Sequence, residues 1–349
     1  MSVAAIQGRV WRTPRFSLRV DERLIGVNLL LLTVLAGASL WSISAGDFPI
    51  ALGDVLKTLL GRGEGANNFI IFNVRLPRLL TGIGTGIALG IAGAMFQSLA
   101  RNPLASPDII GFDSGAALGA VALVILLGAS GTLVALGAVA GGLATALVVF
   151  ALSWRAGGVM PLRLVLIGIG VGFFAYAGVE FLMTRSDIFE AAAAQAWLTG
   201  SLNARLWSHV WIIGATLVVL VPVALLLQPA LDRIELGDDL AAALGVRVNA
   251  ARLAAGFVGV LLAALSVASA GPLPFVALVS APIARRMTRA PSIVLVTSGL
   301  VGALVVTAGD LGGRLVFAPI QLPVGVFTAV FGAPYLLWLL ATQIRKGAM

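Results

Sequence analysis

The 349-residue chain contains no cysteine and a single histidine, His209. A disulfide, a thiolate nucleophile and a Cys- or His-cluster metal centre are therefore excluded. Charge is scarce as well. Asp, Glu, Lys and Arg make up 11% of the residues, against roughly 25% in a soluble domain. Lysine occurs only as Lys57 and Lys346, and neither closes a glycine-rich loop, so the phosphate cradle of an ATPase is missing. Zincin spacing, a Gly-x-Ser-x-Gly elbow and paired intramembrane carboxylates are also absent, which leaves little for an enzyme to work with.

What the chain has in quantity is apolar surface. Hydrophobic residues reach 59%, with a mean hydropathy of +1.04. Long apolar runs recur from about residue 24 to about residue 343, each near the roughly 20 residues that a helix needs to cross a bilayer. The pattern predicts an all-α polytopic membrane protein with spans at 24–44, 76–99, 111–128, 132–153, 163–184, 207–228, 253–270, 274–288, 292–311 and 323–343. Gly271, Pro272 and Pro274 make the eighth a short or broken segment.

The net charge of +8 is distributed unevenly. With both termini inside, sixteen cations fall on the inner side: Arg9, Arg12, Arg15, Arg19 and Arg23 of the leader, then Arg101, Arg155, Arg163, Arg233, Arg247, Arg252, Arg285, Arg286, Arg289, Arg345 and Lys346. The outer side receives seven: Lys57, Arg62, Arg75, Arg78, Arg185, Arg205 and Arg314. The positive-inside rule then predicts cytoplasmic termini. The expected layout is a basic tail at 1–23, a permease domain at 24–343 and a short tail at 344–349. Among acids in or near spans, Glu180 and Asp310 lie close to outer ends and are expected to pair with Arg185 and Arg314 rather than to carry a coupling ion. Gly82, Gly86 and Gly90 put three glycines on one helix face for close helix packing.

Four polar segments break the apolar pattern. The first is Val74-Arg75-Leu76-Pro77-Arg78, followed by Gln97 and by Arg101-Asn102-Pro103-Leu104-Ala105-Ser106-Pro107 with Gly111. The second is Gln195-Ala196-Trp197-Leu198-Thr199-Gly200-Ser201-Leu202. The third is Leu236-Gly237-Asp238-Asp239 running on to Leu244-Gly245-Val246, which reads as a short acidic helix start with a glycine stop. The fourth runs from Ala270-Gly271-Pro272 through Phe275-Val276-Ala277-Leu278, Arg285, Asp310 and Arg314 to Leu322-Pro323-Val324-Gly325 and Gly332-Ala333-Pro334.

In this order and over about 260 residues, the segments closely resemble the FecCD family of ABC-importer permeases for iron-siderophores, haem and cobalamin, the iron-siderophore members most of all. The resemblance implies the type II importer fold and a bacterial inner-membrane location. It implies a second permease subunit, identical or paralogous, two ATPase subunits that use ATP and Mg, and a soluble binding protein. No cofactor is implied for the chain itself. Leu236, Gly237, Asp238, Ala242, Leu244 and Gly245 correspond to the element that seats on the ATPase. Arg75, Arg78 and Arg314 correspond to arginines that face the binding protein. The sequence departs from the family at Ala281-Pro282, where many members carry Pro-His, and at Gln321, where a Glu is common. A haem or cobalamin permease is the alternative within the class. A gradient-driven secondary carrier is the alternative outside it, and would call for inverted repeats and midplane ionisable groups.

Overall fold

The computed structural model describes residues 9–12, 17–108, 110–155 and 158–345. Most of the basic leader, including Arg15, and the last four residues, including Lys346, lie outside the described residues. Ten long helices are present among them: α1 (Glu22–Ser44), α2 (Leu76–Ala100), α3 (Phe112–Leu127), α4 (Thr132–Ser153), α5 (Pro161–Arg185), α6 (Trp207–Glu235), α7 (Val248–Ala270), α8 (Val276–Thr288), α9 (Leu295–Leu315) and α10 (Val324–Arg345). Local chemistry sets several of the ends. Asp21 caps α1 by accepting from the amides of Arg23 and Leu24. Pro77 and Pro161 stand in the first turns of α2 and α5, where a missing N–H costs nothing.

Eight helices are long and apolar enough to cross a membrane. The other two are short: α3 has 16 residues and α8 has 13, so α8 is only about 20 Å long against a hydrocarbon core of roughly 30 Å. It is preceded by a non-helical connector at residues 271–275. Helix α6 runs past the expected span limit at residue 228 and through Pro229 to Glu235. The ring removes one helical bond, yet Leu231 and Ile234 beyond it are fully buried, and that packing holds the last turns.

Three features depart from a plain ten-helix layout. Between α1 and α2 the chain folds into short helical turns at Leu52–Lys57, Thr58–Arg62, Gly65–Phe69 and Ile70–Arg75. A helix at Ile188–Leu198 follows α5. Two small antiparallel hairpins pair Arg9–Arg12 with Ser17–Val20 and Trp154–Arg155 with Gly158–Val159.

Helix α2 is the axis of the bundle, packed against α6, α7, α8 and α9. Its contact with α9 is backbone to backbone. A Cβ on Gly86 would stand 2.4 Å from the Gly302 carbonyl oxygen, and one on Gly90 2.2 Å from that of Ser298. Gly82 instead faces the Leu202 side chain at 2.8 Å. Helices α3 and α4 form a second close pair, with α5 alongside. Arg23 Nε donates to the Met287 carbonyl at 3.0 Å, so the start of α1 and the end of α8 share one end of the bundle, here called the terminal face.

Candidate functional site at the two ends of the bundle

At the terminal face the chain leaves α6 through Leu236 and Gly237 and forms a short helix over Asp238–Ala243. Gly237 has φ +119° and Gly245 φ +82°, and a Cβ at either would meet no atom within 4 Å. Glycine is required there by backbone conformation, since no neighbour crowds it. Ala241 points inward, while Leu236, Leu240 and Leu244 are 61%, 58% and 56% exposed. Ala242 is exposed as well. A stripe of uncovered leucines thus projects from this face.

Asp238 anchors the short helix. It accepts from Arg252 Nη2 at 2.9 Å and Nη1 at 3.2 Å, and it also pairs with Arg101. Arg101 Nε additionally donates to the Ile234 carbonyl at 2.9 Å. Burial first, and then the neighbouring Arg252, lower the Arg101 guanidinium below the usual arginine value. Glu235 pairs with Arg285 of α8. Arg101 and the Glu235–Arg285 pair line a pocket of about 300 Å³ that also includes Gln97 and Asn102. Sequence reading singles out Asp238 but misses Arg101 and Arg252 as its partners; their only signal is their position on the same side of the membrane.

At the opposite face the three selected arginines lie close to α1, α2 and α9, with their guanidinium groups engaged inside the chain. Arg75 is 8% exposed and donates to the carbonyls of Ile43 at 2.5 Å, Ser44 at 3.1 Å and Phe48. It closes the C-terminal end of α1, where helix carbonyls lack partners. Arg314 is 7% exposed, and bonds Ser42 Oγ at 2.5 Å and Asp310 Oδ2 at 3.2 Å. Arg78, with a side chain 15% exposed, forks onto Asp310 and reaches Gln321 Oε1 at 3.4 Å. Gln321 Nε2 in turn donates to Asp47 Oδ2 at 2.9 Å. Asp310 therefore pairs as its spacing predicts. Glu180 and Arg185 form no ion pair among the described residues, and Arg185 lies 5.3 Å over the Phe181 ring instead. Five residues place the two charges about 140° apart around a helix, too far round to meet.

The second polar sequence segment and two parts of the fourth converge beside this face. Gly200 (φ +65°) sits so tightly against the α7–α8 connector that a Cβ would lie 2.0 Å from the Pro272 carbonyl oxygen. Ser201 N donates to the Ala270 carbonyl at 2.9 Å, and Gly325 N to the Gly200 carbonyl at 3.1 Å. Non-helical backbone in this bilayer protein is thus satisfied by other backbone.

Between α3 and α5 lies a more polar groove of about 400 Å³, lined by Asp108, Gly111, Ser114, Gly172, Phe173 and Tyr176. Asp113, in the first turn of α3, is a further acid on this helix outside the groove lining, and a search for midspan charges passes over it because it falls at a span edge. On α1, α4 and α6 most exposed side chains near mid-helix are aliphatic or aromatic, and the hydroxyl of the exposed Thr33 is turned back onto the Leu29 carbonyl, whereas this groove gathers several polar groups.

The sequence pattern of the FecCD transport family matches residues 31–342. The chain is 38% identical over 327 residues to the ferric enterobactin transport system permease protein FepG of Escherichia coli (strain K12), covering 94% of this chain and 99% of that one. It is 36% identical over 329 residues to the Fe(3+)-citrate import system permease protein YfmE of Bacillus subtilis (strain 168), covering 94% and 98%. Among solved structures, an inward-facing conformation of a metal-chelate type ABC transporter superposes with a TM-score of 0.82 at 27% identity, covering 91% of this chain and 99% of that chain. The ten-helix bundle, its α2 axis and its matched sequence segments make this chain a member of the FecCD transport family, a multi-pass ABC importer permease that acts as a transport subunit and not as an enzyme.

Proposed function

We propose that this chain forms half of the translocation pathway for an iron-siderophore or related ferric chelate, with a second permease subunit completing it. The terminal face is cytoplasmic in this reading and docks an ATPase subunit; the opposite face receives a soluble binding protein. The observation that carries the reading is the short helix after α6. It is fixed from below by Asp238, Arg101 and Arg252 and shows Leu236, Leu240 and Leu244 to the outside. A rigidly anchored helix with an uncovered apolar stripe is a surface made to seat in a groove of another protein.

The groove of α3 and α5 supports the placement of the pathway. Polar groups at membrane depth require water or protein beside them, which a second permease and an aqueous route both supply. The ferric chelate follows from the relatives, whose names specify ferric enterobactin and ferric citrate. ATP binding on the partner ATPases would shift the permease pair between outward- and inward-facing states. For docking of the binding protein, Arg78 is the favoured contact of the three arginines. Arg314 shares Asp310 with it, and Arg75 ties down the end of α1.

The test is uptake of a ferric chelate into vesicles that hold this permease with its ATPase and binding protein. Uptake should require ATP and both partners. Uptake sustained by an ion gradient without an ATPase subunit would overturn the reading.

A further inference from the structure

A second site lies between α8, α9 and α10. It is a cavity of about 400 Å³ whose walls are almost wholly apolar and include Phe275, Val279, Ile283, Phe327 and Phe331. Two polar side chains break this lining, and the Thr328 hydroxyl is satisfied by the Gly325 carbonyl at 3.0 Å. The Tyr335 hydroxyl is buried without a hydrogen-bond partner, a costly state that a ligand oxygen would relieve. Just beyond it, toward the terminal face, the Arg286 guanidinium lies 4.4 Å from the Trp338 ring centroid, and the Tyr335 and Trp338 rings are 5.6 Å apart. Among the described residues Arg286 forms no ion pair.

The spacing makes these features one groove. Val279, Ile283 and Arg286 follow one face of α8 at intervals of four and three residues, and Phe331, Tyr335 and Trp338 repeat the pattern on α10. From Val276 to Arg286 the groove covers about 15 Å of helix, half of the roughly 30 Å hydrocarbon core and therefore one leaflet deep. Its deep end is apolar and its shallow end carries a cation on an aromatic ring at interfacial depth, where tryptophan is enriched.

We propose that this groove holds one anionic phospholipid of the leaflet at the terminal face, with an acyl chain between α8 and α10, the phosphate at Arg286 and a headgroup or ester oxygen accepting from the Tyr335 hydroxyl. Basic pockets between helices on this side of a membrane suit such headgroups. The lipid would fill the space between α8 and α10 and so brace the shortest helix of the bundle.

The experiment is native mass spectrometry of the full chain in detergent, titrated with phosphatidylglycerol and separately with phosphatidylcholine. The wild-type chain should retain phosphatidylglycerol preferentially. Arg286→Gln, at an exposed position, should lose about fivefold in phosphatidylglycerol affinity, the value of one cation near a lipid phosphate, and should lose less for phosphatidylcholine, whose choline cation already offsets its phosphate, so that the preference narrows. Tyr335→Phe should weaken both lipids, and Ala308→Phe, which fills the groove from α9, should abolish retention of both. Equal retention of the two lipids by the wild-type chain, or unchanged preference in Arg286→Gln, would overturn the site. So would efficient disulfide formation between Val279→Cys on one copy and Phe331→Cys on another, since a second permease would then occupy the groove. The chain's lack of cysteine makes that cross-link unambiguous.

Discussion

Asp310 on α9 accepts from Arg78 Nε and Nη2 on α2 at 3.0 and 2.7 Å, while its second oxygen lies 3.2 Å from Arg314 Nη2. One buried carboxylate thus balances two guanidinium groups from two helices. Removing its charge leaves both cations unpaired in a poorly solvated place, so Asp310→Asn should destabilise the chain by about 3 kcal/mol. Thermal unfolding in detergent measures this. Adding Arg78→Met to Asp310→Asn should recover only part of the loss, because Arg314 stays buried without a carboxylate.

Arg75 and Arg78 should separate in a binding assay although they stand three residues apart. Arg75 donates to three carbonyls around the end of α1, and Arg75→Gln should cost about 2 kcal/mol of stability with little change in binding-protein affinity of the folded fraction. Arg78→Glu should lower that affinity, more at low than at high ionic strength. Affinity insensitive to Arg78 at low salt would reduce this residue to scaffold.

Two glycine substitutions should fail for different reasons. Gly90→Ala drives a methyl group to 2.2 Å from the Ser298 carbonyl oxygen, and should cost about 1–3 kcal/mol through overpacking of α2 on α9. Gly245→Ala meets no atom within 4 Å but requires φ +82°, a strain of about 1–2 kcal/mol. Melting curves should register both. Only Gly245→Ala should also reduce co-purification of the ATPase.

Leu236→Asp changes an exposed side chain, so stability should stay within about 0.5 kcal/mol. ATPase co-purification should nevertheless fall sharply and transport should stop. A fully active Leu236→Asp permease would remove the short helix from the coupling mechanism.

Much of this architecture is legible in the sequence, because apolar length and proline position act locally. Gly271 and Pro272 announce the short α8, and Asp238 with Gly245 announces a short helix bounded by glycine. Other features depend on distant backbone. Arg75 reads as an outer cation, but residues 43–48 return over it and three of their carbonyls accept from its Nη1 and Nη2. Gly200 reads as part of a polar loop, and only the fold brings it against Pro272 and Gly325. The Tyr335 hydroxyl offers no sequence signal, because a buried unpaired atom is defined by its surroundings.

The glycine contact of α2 with α9 also has a mechanical meaning. Where Gly86 and Gly90 touch the Gly302 and Ser298 carbonyls, neither helix can slide by a fraction of a turn without collision, and the next permitted register is a full turn, about 5.4 Å, away. The two helices therefore move as one rigid post. Gly93 makes the same kind of contact with α8, where a Cβ would stand 1.9 Å from the Ala277 carbonyl oxygen, so the start of α8 is locked to the same post and sliding along α2 is barred on that side as well.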